Sequence, residues 1–392
     1  MAGEPPRRDL IEALSVGLEG HLAVLEEEYF LPGSQIVDPE VAGSTFKMVE
    51  AYYGGGKTHY LRAVEQVALR NNFATAFVSL TKDECPLTRF DLIFFSVARG
   101  LSTRQTGDSE GIGAVIRNWV DEIKVSGDED VNQVVQRQLD GIRDLPMMSL
   151  KFAFRVAAMS HLSGDNELFE CAVNYLTSGK VTPELRRRNV VEIINAKNGS
   201  LALRTLSSLL RKLGYAGFVM IMDEGDRSLS IVSNRDREAA SNHLVQLINE
   251  TAEQRWAGTV FLYSIPSYES FRSAFQSNQA LISRTETTGF PGIPPSVRIE
   301  LEEASEDARL QFCLQLSSRL NLLFDAAHPG KLDVAGINGG AELLANEVLE
   351  REMESTYRRI FIQSYLKALY RIEKPSDLTR ELAREIVFGD SN

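Results

Sequence analysis

Cysteine is scarce: Cys85, Cys171 and Cys313 are the only three in 392 residues, and they stand far apart. That excludes a disulfide framework and the paired spacing of a structural zinc site. Five scattered histidines show no metal-ligand spacing either. No apolar run reaches the length of a membrane span, and the opening MAGEPPRRDLIEAL has no apolar signal-peptide centre. The expected compartment is therefore the cytoplasm. Positive charge is in deficit, with 42 Lys and Arg against 54 Asp and Glu, a formal net charge of −12. This balance excludes a surface that grips nucleic acid all round, while leaving room for a local basic patch. The densest candidates are Arg186, Arg187 and Arg188 in PELRRRNVVE and Arg358 with Arg359 in STYRRIF. Runs this short read first as solvated helix faces. No internal repeat or low-complexity tract is visible.

What is present is ordinary globular material, 43% hydrophobic and 24% charged, in a chain long enough for two or three domains. One stretch stands out, FKMVEAYYGGGKTHYLRAVEQVAL at residues 46–69. A triphosphate needs several backbone N–H groups aimed inward, and only residues without a Cβ let the chain wrap that closely. Gly54, Gly55 and Gly56 supply the freedom, Lys57 stands where a lysine reaches the β- and γ-phosphates, and Thr58 where a hydroxyl would ligate Mg²⁺. The flanks agree: Phe46 to Val49 read as a buried strand, and Leu61, Val64, Val67 and Ala68 recur at helical spacing, so a helix N-terminus would face the anion. Ala51 occupies the place of the first glycine of the usual pattern.

A second strand is expected at residues 73–80, FATAFVSL. Further on, Phe218 to Met222 run into Asp223 and Glu224, the form of a Walker B strand that delivers two carboxylates to its C-terminal edge. Asp223 would hold Mg²⁺ through its water shell, and Glu224 would polarise the attacking water. Alone, an apolar run ending in two acids is a weak signal; paired with the Lys57 loop it is a strong one. A third strand at residues 258–266 ends in Ser264, which reads either as a sensor of the γ-phosphate or as a turn hydroxyl before Pro266. A further strand, SVRIELEEAS, leads to a helix start at Ser305 and Asp307. The rest is expected to be helical apart from a Gly-rich turn at AGINGG, and one amphipathic helix opens the chain through Phe30.

Lys57 and Asp223 stand 166 positions apart, so a helical insertion is expected between the strands that carry them. The resulting division is an N-terminal helical segment at 1–43, a first part of the core at 44–99, the insertion at 100–195, a second part of the core at 196–303 and a C-terminal helical lid at 304–392. The segment LTKDECP nearly spells a guanine-reading pattern, but Glu84 takes its fourth position and it precedes the acidic strand, so adenine is preferred.

EAYYGGGKTHYLRAVEQVAL, GFVMIMDEGD after LALRTLSSLLRKLGY, and RIELEEASEDARLQFCLQL together resemble the ATP-binding proteins of bacterial phage-exclusion (BREX) systems, of the BrxD-like kind. PPRRDLIEAL and LTSGKVTPELRRRNVVEIINAKN extend the similarity over most of the chain. The resemblance implies an α/β P-loop NTPase of the AAA+ type with a helical lid, acting in anti-phage defence. It carries Gly54, Gly56, Lys57 and Thr58 over to the nucleotide loop, and Asp223 with Glu224 to the acidic strand end. His59 follows the threonine as in the family, where it either faces the nucleotide or packs and caps the helix. Arg358 sits where the family shows an arginine leading into its last helices, with Tyr357 in place of a proline. Arg284 lies where related ATPases place an arginine finger; a helix-end cation is the equal alternative.

The function expected is an Mg²⁺-dependent ATPase that works as a homo-oligomer with other defence proteins. Two alternatives stand beside it: a nucleotide-gated assembly switch with negligible turnover, and a DNA-stimulated motor or loader.

Overall fold

The computed structural model describes residues 8–35, 43–51, 54–106, 111–125, 130–143, 145–224, 233–286, 297–301, 305–351 and 356–389. Six strands form one mixed, mostly parallel sheet: β1 (Thr45–Glu50), β2 (Phe73–Leu80), β3 (Leu101–Ser102), β4 (Gly217–Glu224), β5 (Thr259–Ile265) and β6 (Arg298–Glu300), in the order β3-β2-β4-β5-β1-β6. Parallel pairing runs from Phe73 opposite Gly217 to Leu80 opposite Glu224, and from Phe218 opposite Thr259 to Asp223 opposite Ser264. The short β3 lies antiparallel against β2. Every residue of β5 is buried, and β4 is buried except at Asp223. Continuous apolar runs of this kind are what strands covered on both faces require.

Contacts divide the chain into two compact units, Val24–Met48 with Glu65–Arg298, and Met1–Ala23 with Val49–Val64 and Ile299–Asn392. In the first unit, helices Gly111–Val125, Val131–Gly141, Met148–Ser163, Asn166–Ser178 and Pro183–Arg186 fill the interval expected to be helical. Asp130, Asp165 and Thr182 accept hydrogen bonds from the backbone N–H groups of Asn132, Leu168 and Leu185, satisfying donors that each helix start would leave bare. The apolar core is continuous from the sheet residues Ala76, Met220 and Phe261 into Trp119, Phe154 and Tyr175 of these helices. In the second unit a separate core gathers Val16 with Cys313, Leu320, Phe361 and Tyr365 from helices Glu306–Ala327 and Tyr357–Arg371. Ser305 caps the first of these, accepting from the Ala308 N–H as its sequence position predicts.

Three local expectations are corrected. The opening helix breaks after Leu14, because Gly17 adopts a left-handed φ of 71°, and helical structure resumes at Glu19. The glycines of AGINGG do not all form a turn: Gly339 and Gly340 lie in the first turn of helix Asn338–Arg351, where a Cβ on Gly340 would come within 2.7 Å of the Leu378 side chain. There glycine permits close packing. The strand expected over SVRIELEEAS is described only as the three residues of β6, with 302–304 outside the described residues. Among the described residues no helix is long and apolar enough to cross a membrane.

Candidate functional site

The glycines from Gly54 to Gly56 turn directly into helix Lys57–Arg70. Gly54 and Gly56 hold φ of 82° and 91°, conformations that a side chain resists. Tyr60 N–H donates to Gly56 O at 2.9 Å, so the first helical turn closes on the last glycine. The helix start leaves backbone donors at this point without intrahelical acceptors, the local condition for holding an anion. Lys57 is only 4% exposed, and its Nζ donates to Ala51 O at 2.8 Å. That bond folds the lysine back along the loop and sets its ammonium beside the strand exit. Thr58 is half-buried on the same turn.

Arg358, at the start of helix Tyr357–Arg371, is drawn into this loop. Its Nη1 donates to Gly55 O and its Nη2 to Leu301 O at 2.6 Å, while Nε reaches the Tyr357 hydroxyl at 3.2 Å. The guanidinium also lies 4.7 Å from the centroid of Phe312. Only 6% of Arg358 is exposed, so its charge is compensated by carbonyl dipoles and ring faces. A Cβ on Gly56 would stand 2.9 Å from Arg358 Nη1, so the guanidinium would have to shift to admit a side chain, and the positive φ is what requires glycine. The sequence resemblance pointed to Arg358; nothing in the sequence pointed to its carbonyl partners.

His59 turns to the N-terminal segment. The Ser15 hydroxyl donates to Ile11 O at 2.8 Å, leaving its oxygen to accept from His59 Nε2 at 3.1 Å. Burial, and then the nearby Arg358 cation, lower the pKa of His59 to about 4. The imidazole is thus neutral near pH 7 and offers packing and one hydrogen bond in place of a positive charge.

The acidic strand end belongs to the larger unit. Successive residues of a strand point to opposite faces, so Asp223 and Glu224 leave β4 on different sides. Each meets a donor from β5. Ser264 Oγ donates to Asp223 Oδ1, and Tyr263 OH donates to Glu224 Oε1 at 2.8 Å. Glu224 is 1% exposed and Tyr263 fully buried; burial, then the adjacent Glu224 carboxylate, push the phenol pKa well above its ordinary value and keep it a donor. Ser264 stands where the sequence placed it. Tyr263 was missed, because within VFLYSI it reads as one more core residue.

Arg284 sits on helix Gln279–Thr285, where its Nε donates to Asn249 Oδ1 at 2.8 Å and its Nη1 to Ala280 O at 2.8 Å. Of the basic run, Arg187 and Arg188 both pair with Glu184, the former at 2.7 Å. These pairs neutralise part of that run's field. The candidate cation ligands, the Thr58 hydroxyl and the Asp223 carboxylate, are oxygen donors of the kind that suits Mg²⁺ with retained waters.

The family model described as "BREX system ATP-binding protein BrxC/D" aligns with residues 1–385, while no curated protein and no solved structure matches the chain. That alignment takes in the glycine loop, the acidic strand end and the Arg358 helix together, and the ligand in the family's description is ATP. The chain therefore belongs to the family of BREX system ATP-binding proteins BrxC/D.

Proposed function

We propose that the chain binds ATP with Mg²⁺, hydrolyses it, and uses that cycle to assemble or drive a defence complex, through a P-loop core of the AAA+ type with a helical insertion and a C-terminal helical lid. In this reading Gly54, Gly55 and Gly56 turn backbone N–H groups toward the phosphates and Lys57 reaches their outer oxygens. Thr58 and Asp223 would hold the cation, which would supply positive charge to offset that of the phosphates. Glu224 orients the attacking water, and Ser264 senses the γ-phosphate from its place beside Asp223. The reading requires the loop and the acids to meet around one nucleotide.

The observation that carries turnover, beyond binding, is the second acid: Glu224 follows Asp223 at the end of β4 and is held there by its own hydrogen bond. Glu224→Gln is expected to retain ATP and lose phosphate release, measured by calorimetry and by a coupled phosphate assay. Wild-type turnover no faster than this variant would leave only the nucleotide-gated switch. One observation favours that second reading: Arg358 ties Gly55 O to helix Tyr357–Arg371, so the loop and the C-terminal helices share a side chain through which occupancy could be felt. A homo-oligomer in which Arg284 completes a neighbour's site and further defence proteins as partners belong to the first reading, while DNA as a stimulus belongs to a separate reading, a motor or loader. The DNA component predicts affinity that falls steeply with salt.

A further inference from the structure

Two adjacent residues of β5 serve the two adjacent acids of β4, but the two pairs differ in kind. Ser264 and Asp223 are direct register partners, joined by a small, rotatable hydroxyl on one face of the sheet. On the other face Tyr263 is opposite Met222, so Glu224 is its diagonal neighbour two residues further along β4. A phenol is long enough to span that diagonal, and its oxygen reaches Glu224 Oε1 at 2.8 Å.

The ring that carries this hydroxyl is fixed. Its centroid lies 6.5 Å from that of Phe46 on β1 and 6.4 Å from that of Phe271 on helix Tyr268–Phe275. Tyrosine has only two side-chain torsions, and burial among these rings leaves neither free. A carboxylate accepts hydrogen bonds and never donates them, and a charge-assisted bond from a neutral hydroxyl is about twice as strong as a neutral one. Glu224, 1% exposed, thus has one oxygen pinned to an immobile point, and the direction of the other follows from it.

We propose that Tyr263 is the positioning residue of this site: it sets the orientation in which the Glu224 carboxylate meets the attacking water, without touching nucleotide itself. The proposal rests on the assignment of Glu224 as the group that orients that water. Aligning a reactant is worth large factors in rate, and a misplacement of about 1 Å costs on the order of 100-fold.

Steady-state ATP hydrolysis and ATP binding are compared in the wild type, Tyr263→Phe, Glu224→Gln and the double variant. Phenylalanine keeps the ring packing and removes one oxygen, so retained ATP affinity also reports a folded site. Tyr263→Phe is expected to lower kcat by roughly 10- to 100-fold while leaving KM and the ATP dissociation constant within about twofold. The double variant should be no slower than Glu224→Gln alone, since the two residues act as one unit. Wild-type kcat in Tyr263→Phe, with turnover lost in Glu224→Gln, overturns the positioning role and spares the assignment of Glu224. Loss of ATP affinity in step with kcat also overturns it, because general loosening of the strand pair would do that. Turnover in Glu224→Gln equal to the wild type is a different pattern: it removes the assignment of Glu224, and the role of Tyr263 falls with it.

Discussion

The glycine loop and the acidic strand end are held in place by different means. Around the loop the important groups are backbone: two glycines in left-handed conformations, the carbonyls of Ala51 and Gly55, and a guanidinium from 303 positions away that binds one of those carbonyls. At the end of β4 the important groups are side chains, and their partners come from β5, some 40 positions on, across a regular parallel register. One device is local in sequence but anchored remotely; the other joins two strands that were bound to be neighbours. A change at the loop should therefore be felt throughout the unit that contains the C-terminal helices, whereas a change at the acids should stay within the strand pair.

The sharpest way to separate the two is by what each does to ATP. Lys57→Ala removes the one buried ammonium of the loop and is expected to weaken ATP binding by about 100-fold, roughly 3 kcal/mol, where Glu224→Gln leaves affinity intact. Calorimetric titration of both variants checks this. Equal affinities would erase the distinction between a binding element and a turnover element.

Next in size is the remote anchor. Arg358→Met keeps the apolar stem and removes the fork, leaving the carbonyls of Gly55 and Leu301 without that donor, at a cost of about 2–3 kcal/mol. Gly56→Ala forces a φ of 91° on a side chain and pushes its Cβ toward Arg358 Nη1, costing about 2 kcal/mol. Part of the second cost is the clash with the guanidinium, so the double variant should lose less than the sum of the two. Denaturant unfolding of the three proteins measures the shortfall. Strict additivity would mean that the loop and the arginine are energetically independent, and the contrast with the strand pair would be lost.

These differences also explain what could be read in the sequence. β2, β4 and β5 announce themselves as apolar runs because strands covered on both faces must be so, and the glycine run shows because no other residue tolerates those torsions so readily. Asp223 and Glu224 are legible as an abrupt change of polarity at the end of such a run. Arg358 could be singled out only by resemblance. A hydrogen bond to a backbone carbonyl leaves no mark at the accepting position, so Gly55 and Leu301 carried no sign of it. Tyr263 was hidden by the same apolar pattern that revealed β5, since a phenol in a core differs from phenylalanine only by an oxygen whose partner lies on another strand. β3 has two residues, too few for any periodicity.

The last test concerns His59, where no effect is expected near pH 7, and asks whether the loop's surroundings act through burial or through charge. The folded protein keeps this imidazole neutral down to about pH 4, while its ordinary value is 6.5. Between those values the unfolded chain binds more protons than the folded one, so the stability His59 contributes is whole above about pH 6.5 and is lost as pH falls toward 4, at up to about 1.4 kcal/mol per pH unit. Unfolding midpoints of the wild type should fall through this window, and His59→Phe should flatten that part of the curve. Burial is the larger cause and the Arg358 cation the smaller. Arg358→Met should accordingly keep most of the acid slope, with its onset still near pH 6.5 and its lower end moved slightly above pH 4 because one repelling charge is gone. If the slope vanished in Arg358→Met, charge would outweigh burial at the loop, and the guanidinium would be acting there as a field as well as a clasp.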